Sequence, residues 1–128
     1  MLVLIVEDEL PARIAITRLV QAERHDVIAT GSAEEAIHAI DNAAMVKRAI
    51  RVALIDWSLG GPITGIEVAK YLRMAHPGAS AILISGHSRQ EMRDSWRDPI
   101  AGFTAFLEKP FDADILTRFL RLAANGDK

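Results

Sequence analysis

Residues 1–9 read Met1-Leu2-Val3-Leu4-Ile5-Val6-Glu7-Asp8-Glu9, an aliphatic run that stops abruptly on three acids. A run of this kind, apolar at every position rather than at alternate ones, suits a β-strand covered by helices on both faces. The pattern recurs. Strand-like runs at Val27–Thr30, Val52–Ile55, Ala81–Ile84 and Phe103–Leu107 are separated by stretches in which apolar residues return at helical spacing. That alternation marks βαβ units around a parallel sheet. The expected fold is therefore α/β: a (βα)5 chain forming a doubly wound, five-stranded parallel sheet, as one domain over residues 1–128.

The helix signals are local. Pro11, in an acidic turn opened by Glu9, begins a helix carrying Ile14, Leu19 and Val20 to about Arg24. Ser32 followed by Glu35 has the capping-box spacing, and Ala33, Ala36, Ile37 and Ile40 then share a face. A third helix follows Gly65 with Ile66, Ala69 and Leu72, and ends near His76-Pro77-Gly78 because proline disfavours a helical predecessor. The segment from about Arg89 to Arg97 offers only Met92 and Trp96 as apolar anchors, so it is expected to pack lightly. Asp112 is expected to cap the last helix, where Ile115, Leu116, Phe119, Leu120, Leu122 and Ala123 form a wide apolar stripe.

Composition narrows the function. The chain has 128 residues, 50% of them hydrophobic, with a formal net charge of −2 and no cysteine, so disulfides, thiolate metal sites and thiol nucleophiles are excluded. The near-neutral balance argues against direct nucleic-acid binding. No apolar run approaches the ~18 residues of a membrane span, and the first run is too short for a signal peptide, so a cytoplasmic protein with protein partners is expected. Arginine outnumbers lysine, 11 to 4 by count of the sequence.

Ligands of doubly wound sheets bind beyond the carboxyl ends of the strands. Glu7 and Asp8 follow the first strand, Gly31-Ser32 the second, Asp56 the third, Ser85-Gly86 the fourth and Lys109-Pro110 the fifth. Carboxylates gathered in this way repel unless a cation lies between them, and oxygen-only ligands favour Mg²⁺ completed by water or phosphate oxygens. No GxGxxG follows the first strand and no GxxxxGK[ST] occurs, so the usual nucleotide cradles are missing. A phosphatase of the haloacid-dehalogenase type wants a second Asp two positions after its nucleophile, where this chain has Ser58. A small phosphoryl group remains, with Asp56 as nucleophile, Lys109 neutralising phosphoryl oxygens and Ser85 donating a hydrogen bond. Taken singly, Glu7-Asp8 reads as an acidic helix turn, Asp56 as a turn residue, Ser85 as a loop hydroxyl and Lys109 as a solvated charge; their shared edge makes the case.

Four tetrapeptides at strand ends, Val6-Glu7-Asp8-Glu9, Leu54-Ile55-Asp56-Trp57, Leu83-Ile84-Ser85-Gly86 and Glu108-Lys109-Pro110-Phe111, resemble those of response-regulator receiver domains, and the resemblance spans essentially the whole chain. It implies a flavodoxin-like sheet of order 2-1-3-4-5 with a cis Lys109-Pro110 bond. It further implies a phosphoacceptor of two-component phosphorelay signalling rather than an enzyme, beyond self-catalysed phosphotransfer and autodephosphorylation. Asp56 would take a phosphoryl group from a phosphohistidine on a histidine kinase or histidine phosphotransfer protein, using Mg²⁺ held by Glu7, Asp8, Asp56 and the Ser58 backbone carbonyl. Ser85 and Phe106 would be the switch residues. They would act on a face built from the segment 89–97, the fifth strand and the last helix, which binds a downstream protein or a second copy. Phe106 stands where tyrosine is frequent, and Gly60-Gly61-Pro62 with Gly65 implies one extra residue in the loop after Asp56. Ser58 to Gly61 is similar to receivers partnered with HWE histidine kinases, and Gly86 to Phe111 to receivers fused in hybrid kinases.

Two other readings stand beside this one: a pseudo-receiver that binds partners without phosphate, and a Mg²⁺-dependent phosphatase. His87 lies two positions beyond Ser85, where the resemblance implies an influence on hydrolysis of the acyl phosphate; it reads equally well as an exposed loop histidine. His25, His38 and His76 lack metal-ligand spacing and are expected at the surface. Arg89, Arg93 and Arg97, interleaved with Asp94 and Asp98, read as a solvated helix face.

Overall fold

The aliphatic runs form β1 (Leu2–Val6), β2 (Asp26–Thr30), β3 (Ile50–Asp56), β4 (Ser80–Ser85) and β5 (Ala105–Glu108). Between and after them come α1 (Leu10–Ala22), α2 (Ala33–Met45), α3 (Gly65–Ala75) and α4 (Ala113–Ala124). This is a computed structural model that describes residues 1–88, 90–91 and 103–125. The expected helix at 89–97 lies outside the described residues, apart from 90 and 91. All strand pairs are parallel and the order is β2-β1-β3-β4-β5, the expected flavodoxin-like arrangement.

Successive strand residues face opposite sides, so the sheet divides the core in two. Leu2, Leu4, Val6, Ala53, Ile55 and Leu83 pack with Ala36 and Ile40 of α2 and Val68 and Leu72 of α3. Val3, Ile5, Val52, Leu54 and Ile82 pack with Ile16 and Val20 of α1 and Leu116 and Leu120 of α4. Every residue of β1 is buried, as its unbroken aliphatic run requires. The central strands are thereby fixed on both faces, and their carboxyl ends form a rigid edge.

The helix starts follow the local chemistry in part. Ser32 caps α2 by accepting from the Glu35 N–H at 3.1 Å, while the Glu35 carboxylate reaches one residue further back than the usual box, to the Gly31 N–H at 2.9 Å. At α3 a full capping box joins Thr64 and Glu67, a Thr-x-x-Glu signal that the reading of Gly65 as the helix start passed over. Asp112 occupies the N-cap of α4 but makes no side-chain capping bond. β5 begins two residues later than expected: Thr104 donates to the Ala81 carbonyl at 2.7 Å, but the ladder opens only at Ala105, leaving Phe103 as a buried lead-in. Ile14 is 41% exposed, because Ile16 and Val20 carry the buried face of α1. Leu116 and Leu120 bury one half of the α4 stripe, while Ile115 and Leu122 stay exposed.

His76 corrects a further expectation, since it is buried rather than at the surface. Its Nδ1 accepts from the Ile50 N–H at 3.2 Å and its Nε2 faces the Ile40 carbonyl at 3.0 Å. An N–H on one side and a C=O on the other require the neutral tautomer protonated at Nε2. The imidazole thus joins the end of α3 to α2 and to the first residue of β3. Replacing it with leucine strands two buried backbone groups, so His76→Leu is expected to lower unfolding free energy by about 2–4 kcal/mol. Urea unfolding checks this; a loss below about 0.5 kcal/mol, the usual range for surface changes, contradicts it.

Candidate functional site

Four of the five strands deliver functional residues to the carboxyl edge: Glu7 and Asp8 follow β1, Asp56 and Ser85 end β3 and β4, and Lys109 follows β5. The Glu7 N–H donates to the Thr30 carbonyl at 3.0 Å, which extends the β1–β2 ladder one residue and holds Glu7 at 1% exposure. Asp8, the next residue, is exposed. β3 ends in Asp56, 4% exposed, and beyond it the Trp57 N–H donates to the Ile84 carbonyl at 2.8 Å. The Ser58 N–H donates to Asp56 Oδ1 at 3.2 Å and so limits rotation of that carboxylate. The Lys109 N–H donates to the Ser85 carbonyl at 2.7 Å, which aligns β5 with the end of β4. Gly65 lets α3 begin close behind: a Cβ there would stand 3.0 Å from Ile55 Cγ2 and 3.4 Å from the Asp56 carbonyl oxygen.

Lys109 Nζ lies 2.9 Å from Glu7 Oε1 and 3.7 Å from Asp56 Oδ1. One ammonium therefore answers two buried carboxylates. Burial and the hydrogen bond and charge of Glu7 push the Asp56 carboxyl up from its ordinary 3.8 to about 7. Burial works the same way on Glu7, but there it is outweighed by hydrogen bonds from Asp56, Lys109 and the Glu9 backbone, and Glu7 ends below the usual range. Lys109 is raised, because its bond to Glu7 and the charges of Asp56, Glu7 and Glu9 overcome its own desolvation. Of the two carboxyls, Asp56 is therefore the one that keeps a proton more readily toward neutral pH, and Glu7 the one that ionises first.

Glu7, Asp8 and Asp56 each place one carboxylate oxygen within 4.8 Å of the others. Together with Glu9, Ser58 and Lys109 they line a cavity of about 340 Å³. The donors are hard oxygens without nitrogen or sulfur ligands, and their charge exceeds what Lys109 neutralises. That chemistry fits Mg²⁺, whose sites combine one or two carboxylates with water and phosphate oxygens.

Ser85 is fully buried at the same edge but does not line the cavity; its Oγ accepts from the His87 N–H at 3.0 Å. Phe106 is buried in the core cluster that holds Leu83 and Phe103. The loop after Asp56 carries Gly61 at φ +97°, a left-handed conformation that glycine adopts without strain. His25 contacts the amino terminus at 3.2 Å and His38 is exposed, so neither approaches the site. Sequence reasoning missed Arg13, whose Nη1 donates to the Glu7 carbonyl at 3.0 Å. Its signal was placement one turn into a helix that starts beside the acids.

A family model of the response regulator receiver domain matches residues 3–121. The chain belongs to that family. Receivers are phosphoacceptor modules of two-component signalling rather than classical enzymes, and they interact with histidine kinases. Among solved structures, the receiver domain of NtrX from Brucella abortus is 29% identical, with a TM-score of 0.79 over 96% of this chain and 98% of that one. Against the longer NtrX chain crystallised with ATP, this chain spans only 27% of the length. A receiver domain protein from Methanospirillum hungatei shares the fold at 22% identity, with a TM-score of 0.78 over 98% of this chain and 95% of that one. So does TrrA from Thermotoga maritima, solved in complex with Mg²⁺-BeF, at 22% identity, TM-score 0.77, and 95% and 97% coverage. No curated protein matches by sequence. Among the described residues, no helix is long and apolar enough to cross a membrane.

The raised Asp56 carboxyl makes stability depend on pH. A folded pKa near 7 against an unfolded value near 3.8 means that the folded receiver holds this proton more tightly. The contribution is complete below the unfolded value and is lost as pH rises through about 7. Asparagine mimics the protonated side chain, so in metal-free buffer Asp56→Asn should stabilise the receiver at pH 8 by on the order of 2 kcal/mol, and by clearly less at pH 5, where only part of the contribution has been lost. Thermal unfolding at the two pH values, with a chelator present, checks it; equal shifts at both contradict the raised Asp56 carboxyl.

Proposed function

We propose that this receiver, a single domain over residues 1–128, accepts a phosphoryl group on Asp56 from a phosphohistidine of a histidine kinase or histidine phosphotransfer protein. The observation that carries the reading is the convergence of Glu7, Asp8, Asp56 and Lys109 on one cavity. Ser58 N–H and Lys109 both engage Oδ1 of Asp56, which leaves Oδ2 for phosphorus once its proton has left. An Oδ2–P bond forms, the P–N bond of the phosphoimidazole breaks, and its electron pair stays on the imidazole nitrogen, which takes up a proton.

Glu7, Asp8, Asp56 and the Ser58 carbonyl are the groups that would hold Mg²⁺, which supplies charge neutralisation for the phosphoryl oxygens. Lys109, now paired with Glu7, lies close enough to move its ammonium onto a phosphoryl oxygen as charge accumulates there. The Ser85 hydroxyl donates to another. That movement and the packing of Phe106 couple the site to the face of β5 and α4, where a downstream protein or a second copy docks. Water later cleaves the acyl phosphate, with His87 beside its path.

Incubation with acetyl phosphate and Mg²⁺ should add one phosphoryl mass to the wild type and none to Asp56→Asn, as read by intact-protein mass spectrometry. An unmodified wild type, or equal gain in the mutant, sinks the proposal; unchanged affinity of Asp56→Asn for a captured partner favours the pseudo-receiver. Lys109→Met should still bind Mg²⁺ yet phosphorylate about 100-fold more slowly, the scale on which loss of one oxyanion-stabilising donor is felt. Rates within a factor of two of wild type remove Lys109 from that role.

A further inference from the structure

Asp8 poses a problem that the other acids do not. Glu7 is fixed by Lys109 and by the Glu9 N–H at 3.2 Å on its Oε2, and Asp56 by Ser58 and Lys109. Among the described residues, none holds the Asp8 carboxylate, which is exposed. Its direction is set by its own backbone alone, at the point where β1 gives way to α1.

That backbone is bracketed by one residue. The Arg13 N–H donates to the Glu9 carbonyl at 2.9 Å, the first turn of α1. Its guanidinium reaches back, Nη1 donating to the Glu7 carbonyl at 3.0 Å. The Glu7 carbonyl is where the parallel ladder loses its partner strand, because β2 has ended at Thr30 and the chain turns through Gly31 into α2. Arg13 supplies the donor there. The peptide plane before Asp8 is thus tied to Arg13 through the Glu7 carbonyl, while the plane after it is held by the Glu9 N–H on Glu7 Oε2, and Arg13 also anchors the Glu9 carbonyl one plane further on.

Gly31 belongs to the same device. Its backbone does not require glycine, since its φ is not in the left-handed region, yet a Cβ there would stand 2.5 Å from Arg13 Nη1 and 3.4 Å from Cζ. The missing side chain is the passage through which the guanidinium reaches Glu7. Thr17 secures the helical end of the arrangement, its hydroxyl donating to the Arg13 carbonyl at 2.7 Å.

We infer that Arg13, seated across Gly31, is a positioning residue for the divalent-cation site: it orients Asp8 through the Glu7 carbonyl without itself touching the cation. The inference rests on the reading of Glu7, Asp8 and Asp56 as Mg²⁺ ligands. Groups behind a metal ligand typically change affinity 10- to 100-fold when removed. Arg13→Met keeps the stem of the side chain and removes its donors, and it should weaken Mg²⁺ binding about 10-fold. Gly31→Ala keeps Arg13 but displaces its guanidinium, and a loss of the same order is expected.

The deciding measurement is a double-mutant cycle, with Mg²⁺ affinity read by titration of tryptophan fluorescence and folding checked by circular dichroism. If Gly31 acts through Arg13, Gly31→Ala has no further effect in the Arg13→Met background, and the double mutant binds Mg²⁺ like Arg13→Met alone. Arg13→Lys, which retains a donor, should recover part of the loss. Wild-type affinity in both single mutants, or losses that multiply in the double mutant, overturns the inference. If the wild type itself binds no Mg²⁺, the proposed function fails instead, so the two failures are distinguishable.

Discussion

Two buried carboxylates and one partly exposed ammonium, Glu7, Asp56 and Lys109, are held within hydrogen-bonding or ion-pair distance at one sheet edge. Burying like charges is expensive, and an isolated pair would separate or swell the edge. Here the proton that Asp56 keeps more readily and Lys109 make the arrangement tolerable, and the exposed Asp8 adds a third acid beside it. The resting edge is therefore compact but electrostatically unsatisfied: a cation that displaces the proton, and a phosphoryl group that engages the lysine, each relieve what the fold has concentrated.

Such concentration needs a stiff frame. β1 and β3 are buried on both faces, so neither can slide without exposing one of two cores. At the far end His76 joins α2, α3 and β3 through neutral hydrogen bonds, without charge. The amino ends of the strands are thus fastened by satisfied polar groups, while the carboxyl ends carry groups kept away from their ordinary state.

The fold was readable because its decisive signal is redundant: five apolar runs, four of them followed by clear helix signals, point to one topology. The site was readable for a related reason. Residues just beyond each strand must meet at one edge once the sheet is parallel, whatever the details of the loops. What escaped were interactions between side chains and distant backbone. His76 looks like any loop histidine until Ile40 and Ile50 are brought to its two nitrogens, and Arg13 looks like a solvated charge until Gly31 opens a path to Glu7. Asp112 failed in the opposite sense, since a residue type suited to capping does not ensure that its oxygen turns toward the helix. Ile14 and Leu122 show that an apolar stripe wider than the sheet can cover leaves part of itself in water.

The acids and the lysine are far apart along the chain. Glu7, Asp8 and Asp56 lie in its first half, and Lys109 arrives on the last strand, at the outer side of β4. On a ribosome, the acidic residues therefore emerge well before the ammonium that accompanies them. A growing chain, even with β1 to β4 in place, lacks the group that draws phosphoryl oxygens into the cavity. The set of side chains at the edge is therefore complete only once the final strand has joined the sheet.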